Sequence, residues 1–135
     1  REKGLSYVES FDLAKWHQFV QEYLGRSGAG LVEQERKERK YDQAAHRQRL
    51  EVIVQKWGQI LEIIQTELPS VAQVRGYLQA VGAPVSPTEI GISYADARRA
   101  FKVSKDIRNK YNASWLLWDL GCLDEVADSL WQDRE

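Results

Sequence analysis

The 135-residue chain contains no methionine and one cysteine. A lone thiol closes no internal disulfide, so Cys122 excludes a disulfide-stapled fold and fits a reducing cytoplasm. Without methionine there is no initiator, and the opening REKGLSYV carries no start signature. The expectation is a piece of a longer protein, with processing as the other explanation. No apolar run approaches the roughly 20 residues that span a bilayer, and no secretory signal opens the chain. Charge of one sign is missing too. Nineteen Lys and Arg against 20 Asp and Glu leave a net charge of −1, which gives no general attraction to nucleic acid or to an anionic membrane.

Chemistry-bearing motifs are equally scarce. The two histidines, His17 and His46, lie far apart and form neither H-x-x-x-H nor H-E-x-x-H, and no cysteine pair offers a zinc site. The glycine-rich run Gly25–Gly30 has no preceding strand pattern and no Gly-Lys-Ser ending, so it reads as a flexible turn and not as a phosphate loop. Cys122 follows a helix-stop glycine and lacks the surroundings of a nucleophile. No catalytic, cofactor-binding or metal-ligating residue is assigned on this chain.

What is present is helical periodicity. Alternating apolar and polar runs are absent. Residues 1–9 read as a loose lead-in and 10–135 as a single all-α domain, a bundle of about six to eight helices. Leu13, Trp16, Val20 and Leu24 recur at helical spacing. Leu31–Lys40 reads as a solvated helical face or a surface loop, with Glu33–Lys37 and Glu35–Arg39 as i,i+4 pairs. The alternative there is a basic patch around Arg36, Lys37, Arg39, Lys40, Arg47 and Arg49, blunted by the glutamates among them. Asp42 caps the longest helix, Gln43–Glu67, whose face Leu50, Ile53, Val54, Trp57, Leu61, Ile64 and Leu68 is apolar. Gly58 within it costs about 1 kcal/mol against alanine and implies a close helix crossing. Ser70 and Ser93 cap two further helices, Ser86–Glu89 forms a capping box, and Asp124 caps the last helix. A break at Asn112 precedes the apolar helix WLLWDLG, which must be covered nearly all round.

Asp119 is the carboxylate of most interest. Its neighbours predict burial, and it lies near a helix C-terminus, where the dipole disfavours negative charge. It therefore needs donors, for which Arg108 and Lys110 are candidates. Two readings stand: an ion pair joining helix segments, or a carboxylate facing substrate or another domain. Arg108, Lys110 and Tyr111 form a second candidate patch, because arginine suits phosphate through its planar fork of donors.

Three strings carry a family resemblance: KYDQAAHRQRLEVIVQKW, LPSVAQVRGYLQAVGAPVSPTEIGIS and IRNKYNASWLLWDLGCLDE. In this order they resemble the C-terminal helical domain of bacterial-type sn-glycerol-1-phosphate dehydrogenases, in the iron-containing alcohol dehydrogenase superfamily. The resemblance runs from about Lys40 to Leu130. It is poor before Lys40, and Asn112 stands where the family more often has threonine. It implies a parent oxidoreductase that reduces dihydroxyacetone phosphate to sn-glycerol 1-phosphate with NADH or NADPH and a divalent metal acting as Lewis acid. In that family the nucleotide lies on an N-terminal Rossmann-like domain, and the metal is held by an aspartate and two histidines from the start of the helical domain, the second histidine in a His-Gly motif. Neither the nucleotide loop nor a His-Gly pair occurs here. The implied partner is thus the missing N-terminal nucleotide-binding domain, and this chain alone is expected to be inactive and to hold no cofactor. The competing expectation is a stand-alone helical interaction or homo-oligomerisation module. The burial of Trp16, Trp57 and Trp131 separates them: a severed domain exposes an apolar face, whereas a self-sufficient module has a polar exterior or a self-complementary patch.

Overall fold

Helix caps divide the chain into its elements. A computed structural model describes residues 1–131, and every element among them is helical. The order is α1 (Glu2–Glu9), α2 (Leu13–Leu24), α3 (Arg26–Glu38), α4 (Gln43–Glu67), α5 (Val71–Ala80), a 3-10 turn (Pro87–Ile90), α6 (Tyr94–Ile107), α7 (Ala113–Asp119) and α8 (Leu123–Ser129). The end of the expected domain, 132–135, lies outside the described residues.

Asp42 accepts from the Ala45 N–H at 2.8 Å and sets the start of α4 where its sequence signal placed it. Ser70 and Gln73 exchange the two bonds of a capping box at α5, and Ser93 accepts from Asp96 N. Asn112 marks the expected break, with its side chain accepting from Trp115 N at 3.0 Å and donating to the Ser104 carbonyl at 3.2 Å. Two cap expectations differ from the structure. Ser86 forms no side-chain cap and instead meets the Thr88 and Tyr94 hydroxyls. Cys122, not Asp124, holds the N-cap position of α8, and Asp124 sits in its first turn.

Residues 2–9 are not a loose lead-in. They form α1, which buries Gly4 and Val8 and packs on α4 and α7. A Cβ on Gly4 would stand 2.3 Å from the Asp119 carbonyl oxygen, so α1 approaches α7 at backbone distance. The run Gly25–Gly30 is not a flexible turn either. Only Gly25 turns the chain; α3 begins at Arg26. A Cβ on Gly28 would lie 2.5 Å from the Val20 carbonyl oxygen, so this glycine lets α3 press against α2. Val32 and Glu35, one and two turns further on, are buried in the same contact, which makes α3 half-interior and not a solvated face.

The core centres on Trp118, which is wholly buried. Its ring meets Tyr7, Phe11, Tyr41, His46 and Trp115 edge-on at centroid separations of 5.2–6.4 Å. Edge-to-face contact at this range is the favoured aromatic geometry. A second cluster joins Val20, Val32 and Val103 from α2, α3 and α6.

The covered part of α4 ends at Ile53. Its buried residues are His46, Leu50 and Ile53, and α5 buries none. Val54, Trp57, Leu61, Ile64 and Leu68 face outward, as do Val71, Val74 and Tyr77 of α5. No heavy atom lies within 4 Å of a Cβ built on Gly58, so the close crossing expected there is absent among the described residues.

Candidate functional site: buried carboxylates and the clefts beside them

Three carboxylates, Glu35, Asp106 and Asp119, are buried. A buried carboxylate is stable only with donors around it, and each finds donors from other elements. Glu35 of α3 meets His17 Nε2 of α2 at 2.5 Å. Asp106, near the end of α6, accepts from Trp16 Nε1 at 2.9 Å, from the Tyr41 hydroxyl at 2.8 Å and from Lys105 Nζ at 2.9 Å. Asp119, fully buried at the end of α7, accepts from Arg49 Nη2 at 3.0 Å, Arg49 Nε at 3.2 Å and the Tyr111 hydroxyl at 2.7 Å. His46 Nε2 lies 3.1 Å from the Asp119 main-chain oxygen, a bond that requires the hydrogen on that nitrogen.

Lys105 is the most perturbed cation. Its ammonium is wholly enclosed, 2.5 Å from the Tyr41 hydroxyl and 3.6 Å from the centre of the Trp16 ring. Burial lowers its pKa to about 8, and the attraction of Asp106 only partly opposes this. The Tyr41 hydroxyl is pushed far above its ordinary value, first by burial and then by Asp106. Burial likewise raises the Tyr111 hydroxyl, with Asp119 adding to the effect. Lys105, Tyr41 and Asp106 satisfy one another and act as a buried clasp.

A cleft of about 590 Å³ opens beside this cluster. Tyr7, Phe11, Trp16 and Phe19 supply its aromatic surface. Its cations are mostly neutralised by partners, Arg98 by Asp128, Arg99 by Asp96 and Lys102 by Asp124. Burial alone would raise the Asp124 carboxyl, but hydrogen bonds from Lys102 and Tyr7 outweigh it and hold the pKa below its usual value.

The sequence-derived candidates converge on a different place. Arg108, Lys110 and Tyr111 line a cleft of about 200 Å³ with Lys40, Arg49 and Trp115, and Asp119 lies beneath it as the acceptor for Arg49 and Tyr111. Arg108 and Lys110 are exposed at the rim and do not serve as the donors to Asp119. Arg49 takes that role from α4. The basic patch that the sequence offers around Arg36–Arg49 is dispersed into separate pairs, among them Arg39–Asp42, Lys40–Glu38 and Arg47–Glu9. The expected Glu33–Lys37 pair is present at 2.8 Å, whereas Glu35 turns inward to His17 and leaves Arg39.

The Lys105–Asp106–Tyr41 cluster was missed by sequence reasoning. One signal existed: Ala97, Phe101 and Lys105 share a helical face, which puts the lysine on the covered side of α6. Nothing local links Tyr41 or Trp16 to it. Among the described residues no group of three His, Cys, Asp or Glu side chains comes together as a metal site, and His17 and His46 are both engaged in packing contacts. No described helix is long and apolar enough to cross a membrane. Comparison with protein-family models, curated proteins and solved structures gives no match for this chain.

Proposed function

We propose that this chain is the helical domain of a metal- and NAD(P)-dependent glycerol-1-phosphate dehydrogenase-like oxidoreductase, acting as scaffold and cleft wall and not catalytic alone. The observation that carries the reading is the uncovered apolar face of α4 and α5. From Val54 to Val81 it presents large apolar side chains to solvent, with Val71 and Val81 each 78% exposed and Trp57 38% exposed. Exposed apolar side chains in this number are expected where another protein surface docks. Trp16 and Trp131, by contrast, are half-buried within the chain, Trp16 against Asp106 and Trp131 edge-on to Phe101. The proposed cover is the nucleotide-binding domain of the same polypeptide. No described residues come together as the family's metal set, so no metal or nucleotide ligand and no chemical step is assigned to this chain.

The test is the whole reading frame expressed with added divalent metal. Oxidation of NADH or NADPH that depends on dihydroxyacetone phosphate is expected, with no turnover by the 135-residue chain alone. A folded full-length protein that oxidises neither nucleotide sinks the proposal, as does turnover by the short chain.

A second reading rests on the spacing of the face itself. Val54, Trp57, Leu61, Ile64 and Leu68 alternate steps of three and four, the seam of paired helices. A self-association module would cover this seam with a second copy. Sedimentation then finds a stable dimer of the isolated chain, dissolved by Leu61→Glu with Ile64→Glu.

A further inference from the structure

We infer that the cleft between α1 and α2 on one side and α6 and α8 on the other binds an uncharged, flat aromatic molecule that carries a carbonyl or hydroxyl oxygen. Its volume of about 590 Å³ lies in the range of small-molecule sites. One wall is aromatic. Tyr7, Phe11, Trp16 and Phe19 follow one another at ring-centroid separations of 5.3–6.1 Å, each ring tilted 40–50° from the last. All of them are half-buried, so each keeps surface for a ligand. The opposite wall carries charge, and that charge is balanced. Arg98 faces Asp128, Arg99 faces Asp96, Lys102 faces Asp124 and Lys105 faces Asp106. Lys15 and Asp12 at the rim add one charge of each sign. A lining without net charge gives little hold to an ionic ligand, so selection falls to shape and apolar contact. The cleft shares no lining residue with the uncovered face of α4 and α5.

The aromatic wall is fixed before any ligand arrives. Trp16 donates from Nε1 to Asp106 at 2.9 Å and holds the Lys105 ammonium 3.6 Å from its ring centre. Tyr7 donates its hydroxyl to Asp124 at 2.7 Å. Rings anchored in this way lose little freedom on binding, which lowers the cost of association. A further flat ring meets them by offset or edge contact, a gain that a saturated ring of similar size does not share. The Lys105 ammonium beside Trp16 also works against a cationic ligand, since it already draws on that ring. Arg98 uses one N–H on Asp128, and its other guanidinium donors remain for an oxygen at the ligand's edge. The inference stands on this cleft alone and does not rest on the oxidoreductase reading.

The experiment is a pair of nuclear magnetic resonance titrations of the 135-residue chain. One uses coumarin, a flat, uncharged two-ring compound with a carbonyl. The other uses 2-decalone, a saturated two-ring ketone of similar size. With coumarin, saturable shifts are expected at the Trp16 indole N–H and the Leu123 methyls, while the Val71 and Val81 methyls of α5 do not follow the same curve. Coumarin should bind about threefold or more tighter than 2-decalone. Phe19→Leu removes a ring while keeping an apolar side chain of nearly the same volume. It should weaken coumarin about threefold and leave 2-decalone unchanged. The inference is overturned by coumarin binding no tighter than 2-decalone, by shifts that stay linear in concentration or are strongest on α4 and α5, or by full coumarin affinity in the Phe19→Leu chain. If that variant fails to fold, the comparison of the two ketones on the natural chain decides the matter.

Discussion

Asp119 shows how much one side chain can hold. It receives Arg49 from α4 and Tyr111 from the α6–α7 link, while its main-chain oxygen receives His46 and abuts Gly4 of α1. Asp119→Ala leaves the Arg49 charge without its partner and should cost about 3 kcal/mol in urea unfolding. Tyr111→Phe removes one donor from a carboxylate that keeps two others, and should cost only about 1 kcal/mol. Lys105 gives a pH signature. Its pKa is about 8 in the folded protein against an ordinary 10.5. Between those values the unfolded chain binds more protons than the native state, so stability rises with pH across that window. The full rise is up to about 3 kcal/mol. Above pH 10 the sign reverses, because unfolded Tyr7, Tyr41 and Tyr111 ionise while the native hydroxyls, raised by burial, keep their protons. Urea midpoints measured from pH 7 to pH 9.5 should climb for the natural chain and stay flat for Lys105→Met. That Asp119 would be buried was legible from WLLWDLG; its actual donor was not, because Arg49 lies 70 positions away.

At the scale of elements, glycines report which helices touch. Gly4→Ala drives a methyl into the α7 backbone and should destabilise by about 1–3 kcal/mol, measured by thermal melting. Gly30→Ala, in open space on α3, should stabilise by up to about 1 kcal/mol. Gly58→Ala should behave like Gly30→Ala in the isolated chain; a loss of stability instead would place a close neighbour on α4. Helix boundaries were the most legible features, since capping is decided within one turn: Asp42, Ser70, Ser93 and Asn112 all cap where their local signals lie. Residues 2–9 carry no cap bond from a side chain. Their helix is held by tertiary contact with α4 and α7, which no local signal encodes.

At the scale of the whole molecule, the chain divides into a covered body and an uncovered helical face. Burial is asymmetric along α4 itself: Leu50 is 1% exposed and Ile63 58%. An exposed surface of this kind should drive association of the isolated chain in solution. Replacing Leu61 and Ile64 by glutamate should abolish that association and leave the melting temperature equal to that of the natural chain at concentrations too low for it to associate, because neither side chain contributes to the buried core. A lower melting temperature at such dilution would mean that the face is packed within the chain. Light scattering with calorimetry on the same samples reads both quantities.

Periodicity and capping by themselves determined the all-helical class and most helix ends, because backbone hydrogen bonding and side-chain spacing act within a few residues. Tertiary structure alone decided which apolar stripes are covered, which cation meets Asp119, and that Lys105 is enclosed by Trp16 and Tyr41. Those outcomes depend on surfaces meeting across long loops of chain, and an apolar stripe looks the same in sequence whether its partner is near, distant or in another domain.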